Sequence, residues 1–174
     1  MKDSLKLLTE NLYKYFFRED LLKPVIEVKP QEPIIVKSNR EKWLDIAVKA
    51  YGIDPTPKDE VADEVSCVFS LTTLMKRFMP DFPIMTNTPE FIKYIRTDKR
   101  FKPSNELKQG NIIVSVTGTG NGSIIGHIGT VWKDGTILSN SSATGLWSDK
   151  FNTISWIDRY SKKGQLDLFI FELL

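Results

Sequence analysis

Apolar positions recur every three or four residues before about residue 110, and after it the period changes to that of strands. Across residues 4–22, Leu5, Leu8, Leu12, Tyr15 and Phe16 fall on one face of a helical repeat, and Leu7, Phe17, Leu21 and Leu22 widen the stripe. The pattern predicts an amphipathic helix that packs on a neighbour, contacts a partner or lies on a membrane surface. Pro24, Pro30 and Pro33 then interrupt any helix and favour a semi-rigid extended connector. The organisation expected is an N-terminal helix over residues 1–23, a linker over 24–37 and one domain over 38–174.

Ser38 and Glu41 have the spacing of a capping box, and Leu44, Ala47, Val48 and Tyr51 follow on one face before Gly52. A second helix is expected from near Glu64 to just before Pro80, with Cys67, Leu71, Leu74, Met75 and Phe78 sharing a face. Thr88-Pro89-Glu90 starts a third, which carries Phe91, Ile92 and Ile95. Strands are expected at residues 111–116, 126–132, 136–140 and 166–173, and Asp134-Gly135 marks a hairpin turn. A short helical turn is expected at 156–160. Helices first and strands afterwards predict an α+β fold.

Composition narrows the chemistry. The 174 residues include 24 Lys+Arg, 22 Asp+Glu, one Cys and one His. A chain of this length buries roughly 68–70% of its unfolded surface, enough for one core. A single Cys forms no internal disulfide, and one Cys with one His supplies no Cys/His zinc site without carboxylates. The net charge of +2 has interspersed signs and gives no basic stripe for nucleic acid. No apolar run reaches the ~18 residues of a transmembrane helix. Charges at Lys2, Asp3, Lys6 and Glu10 break any secretory signal, so synthesis in the cytoplasm without a signal peptide is expected. No cofactor is implied.

Cys67 falls in the first turn of a predicted helix, where the helix dipole favours a thiolate; a buried structural cysteine fits the same position. His127 opens a predicted strand. Asn140 ends the next strand, thirteen residues on, where its amide could accept the His Nδ1 proton, or could simply form a turn. Five of the ten glycines lie between Gly118 and Gly129. That loop, with Gly120, Asn121 and Gly126, is a candidate wall of a substrate groove or a plain hairpin loop. It is neither a P-loop nor a dinucleotide fingerprint. Trp147 is a second candidate wall, or a core residue.

Residues 66–140 resemble the CHAP and NlpC-type superfamily of papain-like cysteine amidohydrolases and peptidases. The likeness rests on Cys67 at a helix start, Gly110-Asn111-Ile112-Ile113-Val114, Gly126-His127-Ile128-Gly129-Thr130-Val131, and Gly135-Thr136-Ile137-Leu138-Ser139-Asn140. The resemblance implies a papain-like domain with its catalytic helix packed on an antiparallel sheet. It further implies Cys67 as nucleophile, His127 as base and acid, Asn140 as the orienting residue, and a peptidoglycan stem peptide as substrate. A phage-type lysin, released or injected to the cell wall, is the corresponding biological expectation. The alternatives are a cytosolic cysteine protease on the same fold, or a non-catalytic wall- or protein-binding module.

Overall fold

Ser38 caps the first helix as its spacing predicts. Its hydroxyl accepts from the Glu41 N–H, and the Glu41 carboxylate accepts from the Ser38 N–H at 2.7 Å, so two backbone donors are satisfied. This is a computed structural model, and it describes residues 36–56, 66–118 and 125–174. The expected N-terminal helix and almost all of the proline-containing linker lie outside those residues, as do Gly120 and Asn121. Val36–Leu174 forms one compact unit.

Helix α1 spans Asn39–Lys49 and buries Trp43 and Ala47. Helix α2 spans Cys67–Phe78. Its apolar stripe is wider than the heptad-like spacing predicts: Leu71, Leu74 and Met75 are fully buried, but so are Ser70 and Thr72. The Thr72 hydroxyl resolves its own burial by donating to the Val68 carbonyl at 2.9 Å and accepting from the Met85 N–H at 3.1 Å. Helix α3 spans Thr88–Ile95, and its cap is Asn87, whose side chain accepts from the Glu90 N–H at 2.9 Å.

Six strands follow: β1 (Phe101–Pro103), β2 (Ile112–Ser115), β3 (His127–Val131), β4 (Thr136–Asn140), β5 (Trp147–Asn152) and β6 (Leu168–Leu173). They form one antiparallel sheet in the order β1-β6-β2-β3-β4-β5. The β3–β4 hairpin turns through Lys133–Gly135, with Asp134 at φ 53° and Gly135 at φ 70°, the positive values that a tight hairpin turn demands. Between β5 and β6 lie a short helix, α4 (Thr153–Trp156), and a π-helical turn, Ile157–Lys162. The fold is therefore α+β, with four α-helices and a six-stranded antiparallel sheet among the described residues.

Strand alternation divides the core in two. Ile112, Val114, Ile128, Leu138, Phe171 and Leu173 point to the layer that holds α1, α2 and α3. Ile113 and Ile137 point to the other layer, beneath Trp156, Tyr160 and Leu166. Each sheet face thus has its own cover, and residues on neighbouring positions of one strand belong to different layers. Among the described residues no helix is long and apolar enough to cross a membrane.

Candidate active site

Cys67 is the first residue of α2. Ser66 precedes it at the helix start with no side-chain cap, and the Ser66 carbonyl accepts the Ser70 N–H at 2.8 Å. Cys67 is 8% exposed, and its thiol donates to the Gly126 carbonyl, 4.0 Å from Sγ. Burial pushes the thiol up to about 11, while the backbone N–H groups of Val68, Ile128 and Cys67 itself pull in the opposite direction with less effect.

His127 opens β3 directly across from Ser115 of β2. Its side chain lies on the sheet face opposite α2, among aromatic rings. Tyr160 stacks on the imidazole with centroids 5.3 Å apart and planes 25° apart, Trp156 lies at 5.0 Å, and Phe151 meets it edge-on at 5.6 Å. Trp156 is held in turn by its Nε1–H, which donates to Ser115 Oγ at 3.0 Å. Burial drives the imidazole down to about 3, and the cations of Arg159 and Lys150 add to that push. Near pH 7 the site therefore holds a neutral thiol and a neutral imidazole.

The residue bonded to the imidazole is Ser139, whose Oγ lies 3.2 Å from Nε2. The tautomer with its proton on Nε2 donates to Ser139 and leaves the Nδ1 lone pair free. The backbone explains the choice of partner. Val131 pairs with Ile137 and Thr130 with Leu138, so continuing that register sets Ser139 opposite Gly129, on the same face as His127. Gly129 has no side chain to intervene: a Cβ there would come within 3.2 Å of the Ser139 Cβ and 2.7 Å of the Leu138 carbonyl oxygen.

Cys67 and His127 reach one cavity of about 820 Å³, Cys67 from the α2 layer and His127 from the aromatic layer. Gly126, Asn140, Lys150 and Arg159 also line it. Among the described residues the thiol and the imidazole share no hydrogen bond. Lys163 is neutralised by Asp158 at 2.8 Å. The Arg159 guanidinium sits over the Tyr160 ring at 5.6 Å, so the wall beside His127 is both aromatic and cationic.

Of the residues singled out in the sequence, Cys67, His127, Gly126 and Asn140 come together at this cavity. Asn140 is not the partner of His127: its Nδ2 donates to Ser66 Oγ at 2.5 Å, because alternation along β4 turns it toward α2. Trp147 is a core residue rather than a wall. It is fully buried within the α2 layer, and its backbone is tied to Gly52 and Ile53. Ser139, Phe151, Trp156, Tyr160 and Arg159 are the site residues that the sequence reading did not single out. Parity with His127 across the hairpin was the available signal for Ser139. For Trp156, Arg159 and Tyr160 it was the Trp-Ile-Asp-Arg-Tyr turn, which on its own reads as a short helical turn, and for Phe151, on β5, there was none.

Among the described residues no cluster of three or more His, Cys, Asp or Glu is placed to hold a metal ion. Compared with protein-family models, curated proteins and solved structures, the chain matches none.

Proposed function

We propose that this chain is a cysteine-dependent amide hydrolase with a papain-like arrangement of helix and sheet. One observation carries the proposal: the only cysteine and the only histidine of the chain, 60 positions apart, line the same cavity. Cys67 stands at the positive end of α2, and with the imidazole proton on Nε2, toward Ser139, Nδ1 is the base. With both groups neutral, attack proceeds by general-base catalysis. His127 Nδ1 takes the thiol proton as the Sγ–C bond forms, then delivers it to the leaving amine. Water, activated by the same nitrogen, releases the acyl group.

The substrate class proposed, a peptidoglycan stem peptide, is the one that the resemblance to the CHAP and NlpC-type superfamily implies. The cationic wall of Lys150 and Arg159 suits the carboxylates such peptides carry. Digestion of purified cell walls followed by mass spectrometry of the muropeptides tests this directly. New amide-cleavage products are expected, and Cys67→Ala is expected to abolish them with its thermal unfolding unchanged. Equal lysis by Cys67→Ala would refute the assignment. Cleavage of protein substrates but not muropeptides would make the chain a protease on the same chemistry.

The neutral state of the two groups favours a second reading, a binding module that keeps the fold without turnover. A Cys67→Ala variant that binds cell walls as the unaltered chain does, with no cleavage by either, would establish it.

A further inference from the structure

We propose that Lys150 and Arg159 form a subsite for a carboxylate on the leaving half of the substrate, the fragment released as an amine. This assignment rests on the hydrolase reading above and names what that site selects. The two cations stand on the histidine's side of the cavity. Arg159, in the π-helical turn, lies 5.6 Å from the ring centroid of Tyr160 and 6.0 Å from that of Phe151, two of the rings that flank the imidazole. Lys150 lines the same cavity, and its charge acts on His127. Cys67 enters from the α2 layer. His127 hands its proton to the departing nitrogen, so the half of the substrate beyond that nitrogen extends along the histidine's wall.

The strand that carries Lys150 is distorted in a way that places it there. Two steps of β4, from Ile137 to Ser139, face three steps of β5, from Phe151 back to Ser148. Such a β-bulge re-aims a side chain. Phe151 packs on the face of His127, so regular alternation would bring Asp149 to that face and turn Lys150 away. Instead Asp149 accepts from the Tyr51 hydroxyl at 2.9 Å, and Lys150 lines the cavity. The extra residue exchanges a carboxylate for a cation beside the imidazole.

The two charges await an anion. Among the described residues neither Lys150 nor Arg159 takes part in a salt bridge, whereas Lys163 is paired with Asp158. Both are exposed at the cavity and open to a ligand. Left alone, they add to the push that holds the imidazole down and so weaken the base that the mechanism uses. A carboxylate bound by them cancels that push, and the leaving half they hold thereby strengthens the base. The guanidinium fork suits a bidentate carboxylate, and the lysine adds a point charge.

Two alkylating agents read the subsite without turnover. Iodoacetate and iodoacetamide each form a bond from Sγ to carbon with loss of iodide, the thiol proton passing to solvent; one carries a carboxylate and the other a neutral amide. The rate on Cys67 with iodoacetate relative to iodoacetamide is expected to exceed the same ratio for free cysteine by about tenfold at low salt. It should fall to the free-cysteine value in Lys150→Gln/Arg159→Gln, part of the way in each single variant, and stay in Lys150→Arg, which keeps the charge. Muropeptides read the direction. Amidating the carboxylates of the leaving fragment should lower kcat/KM at least ~tenfold, and amidating those of the acyl fragment should change it by less than about twofold. The double variant should lose that distinction. A ratio no higher than that of free cysteine, or one unchanged in the folded variants, overturns the subsite while any cleavage leaves the hydrolase reading standing. Selection by the acyl fragment overturns the assignment too. A cation-dependent ratio with no amide cleaved removes the hydrolase reading, and this assignment with it.

Discussion

Mild acid should destabilise this fold through one side chain, and the structure sets the size of the effect. The imidazole of His127 is enclosed by Phe151, Trp156 and Tyr160, and burial with the Arg159 and Lys150 cations lowers it to about 3 from an ordinary 6.5. A group depressed in the folded state leaves the native protein with fewer bound protons than the unfolded chain. Stability is therefore complete above pH 6.5 and is lost as pH falls from there toward 3. Within that window the slope approaches about 1.4 kcal/mol per pH unit, and the loss between pH 7 and pH 5 is about 2 kcal/mol. Urea denaturation at the two pH values measures the total. Asp98, held below the usual carboxylate range by its hydrogen bond to Arg100, contributes in acid as well. His127→Phe isolates the imidazole, because phenylalanine fits the aromatic surroundings and takes up no proton. The variant should lose about 2 kcal/mol less than the unaltered chain over the same interval. Equal losses would refute the reasoning, and so would an NMR titration of this lone histidine with its midpoint near 6.5.

Three further outcomes follow from the same geometry. Alkylation of Cys67 should show no plateau at neutral pH and should climb through pH 9 toward 11; at pH 7 a thiol at about 11 holds about a hundredfold less thiolate than one at 9.0. A plateau near pH 7 would mean that the imidazole and thiol form an ion pair after all. Ser139→Ala should cost about 1 kcal/mol in urea unfolding and should lower turnover more than it raises KM, since the imidazole loses its only side-chain hydrogen bond among the described residues. Gly126→Ala should destabilise by at least ~2 kcal/mol, because its Cβ would meet the Ser115 carbonyl oxygen at 2.2 Å and the Thr117 nitrogen at 2.5 Å, both backbone atoms; a melting temperature equal to that of the unaltered chain would contradict the close approach.

The parts of the fold legible in the sequence are those where burial imposes a period. Residues 112–115 and 127–131 are buried at every position, and the β-branched residues Ile112, Ile113, Val114, Ile128, Thr130 and Val131 mark central strands. The hairpin at Asp134-Gly135 and the Ser38 cap are local chemistry and read equally well. The two strands not foreseen are both at sheet edges. Strand β1 has three residues and ends in Pro103, and β5 carries Ser148, Asp149 and Lys150 where an interior strand would be apolar. At the site, the sequence brings Cys67 and His127 together but does not fix which β4 side chain meets the ring. That choice turns on parity: one position along a strand exchanges the two faces, so Ser139 takes the imidazole while Asn140 turns to Ser66. The aromatic enclosure was hidden for a different reason. Phe151, Trp156 and Tyr160 come from a segment whose folding onto the sheet depends on tertiary contacts and not on any repeat within it.

The strand order also dictates when this domain can finish folding during synthesis. Strand β6 is the last of the six to be made, yet it lies inside the sheet, between β1 and β2. While residues 168–173 remain in the ribosome exit tunnel, β1 has no neighbour and β2 presents a bare edge. The nascent chain can close the β3–β4 hairpin but cannot complete the sheet beneath its helices. Completion therefore waits for β6, and a strand edge stays open to other nascent chains until residues 168–173 have left the tunnel.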